Sequence, residues 1–280
     1  MKELKREIEL VVLSDIHLGT YGCHAKELAS YLKSIKPEIL VLNGDIIDIW
    51  QFKKSYWPKS HMKVIKHIIN LAAKGTRVYY VTGNHDETFR RFVGAELGNI
   101  TICNQLELTL DSKRAWFFHG DVFDVVIQNS KWLAIVGSVS YDLLIRVNHI
   151  VNKVSKLFGK GKVSLSKKIK DNVKSAVKYI NNFEETAAHV ALQKGFEYIV
   201  CGHIHHAEKR LITIQDEGSI LYLNSGDWVE NLTALEYNNK EWEIYQHEEE
   251  KQVDSTDDID VLTDLDNKQI FNLMLKDFSN

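Results

Sequence analysis

Asp15 and His17, Asp45 and Asp48, Asn84 and His85, His119, and the pair His203 and His205 are the residues whose types and spacing could do chemistry. Each set follows an apolar run: Leu10 to Leu13, Ile39 to Leu42, Val78 to Val81, Trp116 to Phe118 and Tyr198 to Val200. Such runs read as buried strands, so five strand ends would deliver only Asp, Asn and His to a sheet edge. Carboxylate, imidazole and amide oxygen suit Mn, Fe or Zn. Two divalent cations about 3.5 to 4 Å apart need several such ligands each and a carboxylate between them. Asp45, set at a glycine turn in Asn43-Gly44-Asp45, is the first candidate. Side chains alternate with period two along a strand, so Asp15 and His17 are expected on one side of an extended strand end, and His203 and His205 likewise. Singly, D-x-H and H-x-H arise by chance, and a lone His119 is commonly a satisfied core histidine. Five such signals in order, each behind a strand, point to a metal site.

The elements that would position these residues can be placed from periodicity. A strand over 8–14 precedes a helix from His24 to Ile35, whose apolar face is Leu28, Leu32 and Ile35 and which Pro37 closes. A strand over 39–43 follows. Val64, Ile65, Ile68, Ile69 and Leu71 predict a helix over 60–73, ended by Gly75, before a strand over 77–82. This alternation predicts a partly parallel sheet. From Ile100 to Phe118 the runs shorten and alternate, predicting antiparallel strands in a second sheet, and short strands return from Ile199 onward.

The 280 residues, 44% hydrophobic, suffice for a full core plus an insertion or tail. A net charge of −3 gives no global nucleic-acid signal, and no nucleic-acid partner is expected. Three widely spaced cysteines, Cys23, Cys103 and Cys201, suggest neither a disulfide framework nor a zinc ribbon; together with an N-terminus without a long apolar region, they predict a cytoplasmic protein. Charge is uneven. From Lys131 to Lys178 there are 11 Lys and Arg against 2 acidic residues. Lys170, Lys174 and Lys178 fall on one helix face, opposite Ile169, Val173, Val177 and Ile180. Such a stripe is either a solvated face or a phosphate-binding one, and the three lysines are substrate-binding candidates. Asp142, Arg146 and His149 interrupt the apolar stretch before it, which argues for an amphipathic hairpin rather than a membrane span. The expected organisation is a core of residues 1–121 and 196–246, a basic and apolar helical insertion at 122–195, and a partly disordered acidic tail at 247–280.

Asp15-Ile16-His17, Gly44-Asp45-Ile46-Ile47-Asp48, Gly83-Asn84-His85-Asp86, His119 and Gly202-His203-Ile204-His205 together resemble the calcineurin-like metallophosphoesterases across roughly residues 8 to 230. The resemblance implies an α/β, α+β mixed fold: two facing mixed β-sheets flanked by helices, with a helical cap insertion. It further implies that Asp15, His17 and His205 bind one metal, that Asn84, His119 and His203 bind the other, and that Asp45 bridges them. His85 would contact the phosphate or protonate the leaving oxygen, with Asp48 holding its ring; a helix-initiating acid is the alternative role for Asp48. The implied cofactors are two divalent cations, manganese first, with iron or zinc as alternatives.

The chain length, the insertion and Asn224-Ser225-Gly226-Asp227-Trp228 also resemble the branch containing the UDP-2,3-diacylglucosamine pyrophosphohydrolases of lipid A biosynthesis, although the best-known members carry Arg where His85 stands. A phosphorylated, lipid-linked substrate is therefore expected, with a cap that meets the inner face of the cytoplasmic membrane. A phosphomonoesterase or phosphodiesterase of undefined substrate, with a nucleotide as one candidate, is the alternative, and a non-catalytic scaffold a further one. Oligomeric state has no signature in the sequence.

Overall fold

The computed structural model describes residues 5–50, 56–123 and 183–248. The expectations for Lys170, Lys174 and Lys178, for the amphipathic hairpin and for the tail beyond residue 248 lie outside these residues.

Twelve strands form two sheets among the described residues. The larger holds β1 (Arg6–Leu13), β2 (Ile35–Asn43), β3 (Arg77–Val81), β4 (Glu96–Leu97), β5 (Ile100–Cys103), β11 (Thr233–Asn238) and β12 (Glu241–Gln246), in the order β12-β11-β1-β2-β3-β5-β4. Its centre is parallel, from β1 through β2 and β3 to β5. The smaller holds β6 (Gln105–Leu110), β7 (Lys113–Phe118), β8 (Tyr198–Cys201), β9 (Glu208–Ile214) and β10 (Gly218–Asn224), in the order β6-β7-β8-β10-β9, parallel in the middle and antiparallel at both edges.

The central strands are apolar on both faces because both faces are covered. Leu10 and Val12 of β1, Ile39 and Val41 of β2, Ala115 and Phe117 of β7, and Tyr198 and Val200 of β8 share one cluster, where the two sheets face each other. Their alternate neighbours point outward. Val11, Leu13, Leu40 and Leu42 pack with α1 (Ala25–Ser34) and α2 (Lys59–Ala73). On the far side Trp116, Phe118, Ile199 and Cys201 pack with Phe183, Ala187, Ala188 and Ala191 of a helix over 183–193, α3. The result is a helix, sheet, sheet, helix sandwich; each large side chain fully buried in it, such as Phe117, contributes about 1.5–3 kcal/mol.

Three sequence expectations change. The first helix is not closed by Pro37: α1 ends at Ser34 and β2 begins at Ile35, with Pro37 paired to Ile8 and its carbonyl accepting from Thr76 Oγ1 at 2.8 Å. Proline is tolerated there near the start of the strand. Ile69 of α2 is 53% exposed, so the buried stripe runs instead through Val64, Ile68, Leu71 and Ala72. Finally, β5 lies parallel to β3 in the first sheet, so only β6 and β7 form the expected antiparallel pair of the second.

Candidate metal centre

All five expected strand ends, those of β1, β2, β3, β7 and β8, open at one edge of the sandwich. The ligand candidates lie beyond those ends in a conformation that the period-two expectation missed. Asp15, His17, Asp45, His203 and His205 have φ of 51°, 52°, 55°, 67° and 56°, the left-handed region that side chains other than glycine seldom enter. Backbone of this kind costs on the order of 1–3 kcal/mol per residue and persists where its surroundings impose it, commonly at functional sites. It turns alternate side chains inward from loops that are no longer extended. The glycine of G-N-H-D permits a close approach to the centre: a Cβ at Gly83 would stand 2.2 Å from Asp45 Oδ1 and 2.6 Å from its backbone nitrogen.

Asp15, His17 and His205 present ligand atoms within 4.8 Å of one another, and so do Asp45, His119 and His203. Between partners, His205 Nε2 is 3.3 Å from Asp15 Oδ1 and His119 Nε2 is 3.1 Å from Asp45 Oδ2. Asn84 joins the second group, its Oδ1 3.2 Å from His119 Nε2. Backbone amides fix the other carboxylate oxygens: His203 N–H donates to Asp15 Oδ2 at 3.0 Å and His85 N–H to Asp45 Oδ1 at 2.8 Å.

Three rings turn Nδ1 to an oxygen behind them, those of His119 and His17 within hydrogen-bond distance. That of His119 lies 2.9 Å from the Asn43 carbonyl, that of His17 lies 3.0 Å from Asp48 Oδ2, and that of His205 lies 3.7 Å from Asp227 Oδ2. With the proton on Nδ1, each ring aims an unprotonated Nε2 at the centre, the arrangement that metal-ligating histidines use. Asp48 Oδ2 also lies 2.9 Å from Nδ1 of His85, so His17, Asp48 and His85 form a third cluster.

The electrostatics follow from burial and opposed charges. Burial would raise the Asp45 carboxyl, but the imidazoles of His119, His17 and His85 outweigh it and hold Asp45 well below the usual carboxylate range. Burial would lower His119, yet Asp45 and Asp15 push it well above its ordinary value. His205 likewise resists burial and rises to about 9 beside Asp15 and Asp227. His85 is raised despite its burial, chiefly by Asp48 and Asp45. These carboxylates thus make the centre attractive to cations.

The donor set fits divalent metal. It offers carboxylate, imidazole and amide oxygen with no thiolate, and the buried atoms Asp15 Oδ1 and His17 Nε2 have no hydrogen-bond partner.

Two residues not given roles from the sequence complete the edge. Asp227 accepts the backbone N–H groups of Val229, Glu230 and Asn231 while facing His205. It too follows an apolar strand, β10, through Ser225 and Gly226, which is the signal that could have found it. Asp86 accepts from Gly83 N at 2.7 Å, Ile46 N at 2.9 Å and Tyr80 Oη at 2.6 Å, tying the β3 loop to the β2 loop. Two further histidines pair with acids: His24 is 3.7 Å from Glu27 and His206 is 3.5 Å from Glu208.

Residues 8–207 match the family model described as calcineurin-like phosphoesterase. The chain belongs to that family. As a calcineurin-like phosphoesterase it is a metal-dependent phosphoester hydrolase. It is 21% identical over 247 residues to a protein of Aliivibrio fischeri named UDP-2,3-diacylglucosamine hydrolase, covering 85% of this chain and 98% of that one. Among solved structures, an archaeal phosphodiesterase aligns at TM-score 0.41 and 12% identity, covering 85% of this chain and 98% of that one. A dimetal phosphatase from Danio rerio aligns at TM-score 0.38 and 11% identity, covering 85% and 98%. Among the described residues of this calcineurin-like phosphoesterase, no helix is long and apolar enough to cross a membrane.

Proposed function

We propose that the protein is a dinuclear hydrolase in which Asp15, His17 and His205 hold one cation, Asn84, His119 and His203 hold the other, and Asp45 stands between them. What carries this reading is the pair of ligand clusters at a single sheet edge, with the charge of Asp45 felt by His17, His119 and His205 alike. Manganese is the proposed metal, with iron or zinc as alternatives.

When bound, the cations activate water near neutral pH and offset charge on the phosphoryl oxygens. The remaining work falls to the chain. Asp45 supplies the shared negative charge, Asp48 orients both His17 and His85, and His85 contacts the phosphoryl group or delivers a proton from its ring to the leaving oxygen. The raised affinity of His85 for a proton suits that donor role.

The proposed substrate is a lipid-linked nucleotide sugar such as UDP-2,3-diacylglucosamine, cleaved at its pyrophosphate to a lipid monophosphate and UMP. Support comes from the relative named for that substrate and from the basic excess over residues 131–178 within the insertion at 122–195, proposed as a cap that meets a cytoplasmic membrane surface. Lys170, Lys174 and Lys178 are its proposed headgroup contacts. The test is metal analysis of protein purified without chelator, followed by hydrolysis of a panel of lipid-linked and nucleotide diphosphates. Two metals per chain and the highest kcat/KM on the acylated member are expected. A preference for unacylated nucleotides would replace the lipid substrate, and a metal-free, inert protein would reject the hydrolase.

A further inference from the structure

Trp50 stands at the mouth of this centre, and none of the roles above uses it. It comes two residues after Asp48, and its indole lies 4.9 Å from the His85 ring, centroid to centroid, tilted by 37°. The residue is 59% exposed, whereas Trp116, Trp228 and Trp242 are buried. An indole left in water contributes little burial energy to the fold, and beside a site it offers a π-face and a polar N–H to a ligand. His85 in turn stands edge-on to His17, with 4.7 Å between centroids and 86° between planes. A row therefore runs outward from the centre: the His17 imidazole, the His85 imidazole, then the indole.

That order limits what the indole can meet. A group bonded close to the reacting phosphorus, on the side His85 serves, comes within one ring of Trp50. A π-face gains most from a flat base or from a sugar ring laid against it, and little from a methyl group. We propose that Trp50 is a substrate-binding residue, a platform for the ring nearest the reacting phosphoryl group, either a nucleobase or a sugar. This rests on the hydrolase reading above and adds a specificity determinant to it.

The test measures binding rather than turnover. Methylenediphosphonate esters of methanol, uridine and glucose, whose P–C–P bridge resists cleavage, are titrated against metal-loaded wild-type, Trp50→Ala and Trp50→Phe protein, with each ester checked for integrity after the titration. In the wild type a ring-bearing ester should bind more tightly than the methyl ester. Trp50→Ala should shrink that ratio of Kd values about ten-fold, and Trp50→Phe should restore most of it, since base stacking on an aromatic side chain is of this size. Loss in the uridine arm assigns a nucleobase, and loss in the glucose arm assigns a sugar. The platform is overturned if wild-type protein binds all three alike, or if Trp50→Ala weakens all three equally, which would make the indole a prop for His85. Failure to load metal, or to bind any diphosphonate, counts against the hydrolase itself and removes the platform with it.

Discussion

Asp48 Oδ2 lies 2.9 Å from Nδ1 of His85, and the same oxygen lies 3.0 Å from Nδ1 of His17. One carboxylate oxygen thus serves a proposed metal ligand and a proposed phosphoryl-contacting residue together. Asp48 is only 1% exposed, so neither ring shares it with bulk water.

The two roles are separable by substitution. His85→Ala should lower kcat by on the order of 10² to 10⁴ with metal content unchanged. Asp48→Asn should lower kcat and also weaken metal binding by about 10- to 100-fold, because it withdraws the carboxylate behind His17. Metal content by mass spectrometry, read beside kcat, checks both. Loss of metal in His85→Ala would make that residue a ligand.

Asp45→Asn should abolish turnover. Removing the shared charge leaves two cations close together without compensation and leaves His119 without its partner carboxylate. Near-normal kcat with two metals retained would defeat the assignment of Asp45.

The His205 shift has a definite sign. Its affinity for a proton in the folded, metal-free protein rises to about 9, above an unfolded value of about 6.5. The proton therefore stabilises the metal-free fold fully below about pH 6.5, and that contribution is lost as pH rises through about 9. Metal must displace the same proton, so affinity should increase with pH across this window and proton release should accompany loading. Denaturant unfolding of chelated wild type against His205→Gln should show a stability difference that shrinks between pH 6.5 and 9; a constant difference would contradict the prediction.

Gly83→Ala should destabilise the protein by about 1–3 kcal/mol, because the added Cβ has no room against Asp45 and the loop must move. Metal retention should fall with it. Unchanged denaturation midpoint and metal content would show that the loop yields freely.

Replacing Lys170, Lys174 and Lys178 with Gln should reduce activity on an acylated substrate far more than on a small chromogenic phosphodiester. Each lysine near an anionic surface is worth about 1 kcal/mol, and vesicle binding should weaken as salt rises. Equal activity on both substrates together with indifference to anionic vesicles would remove the membrane role.

How much of this was legible in the sequence depended on what each residue's neighbours decide. Runs such as Leu10 to Leu13 and Ile39 to Leu42 announced strands because covering both faces requires apolar residues throughout. Ile100 to Cys103 carried no comparable label. Four residues form a strand in either sheet, and its parallel place beside β3 depends on pairing with Val78 to Val81. The types of Asp15, His17, Asp45, His203 and His205 were readable, but their left-handed backbone was not, since it is imposed by loops closing on one another at positions without glycine. Asp227 stood in the Asn224 to Trp228 stretch without a role, because its chemistry is directed at His205 and not at the centre.

The two clusters draw on both sheets: Asp15 and His17 follow β1 and Asp45 follows β2 of the larger sheet, while His119, His203 and His205 follow β7 and β8 of the smaller. Any ion bound there is a staple across the sandwich, and its binding energy becomes resistance to separation of the layers. At free metal one hundred times Kd that resistance is about 2.7 kcal/mol for a single site. Metal supply then sets part of the stability of the fold, and starvation for the ion would lower resistance to unfolding as well as activity.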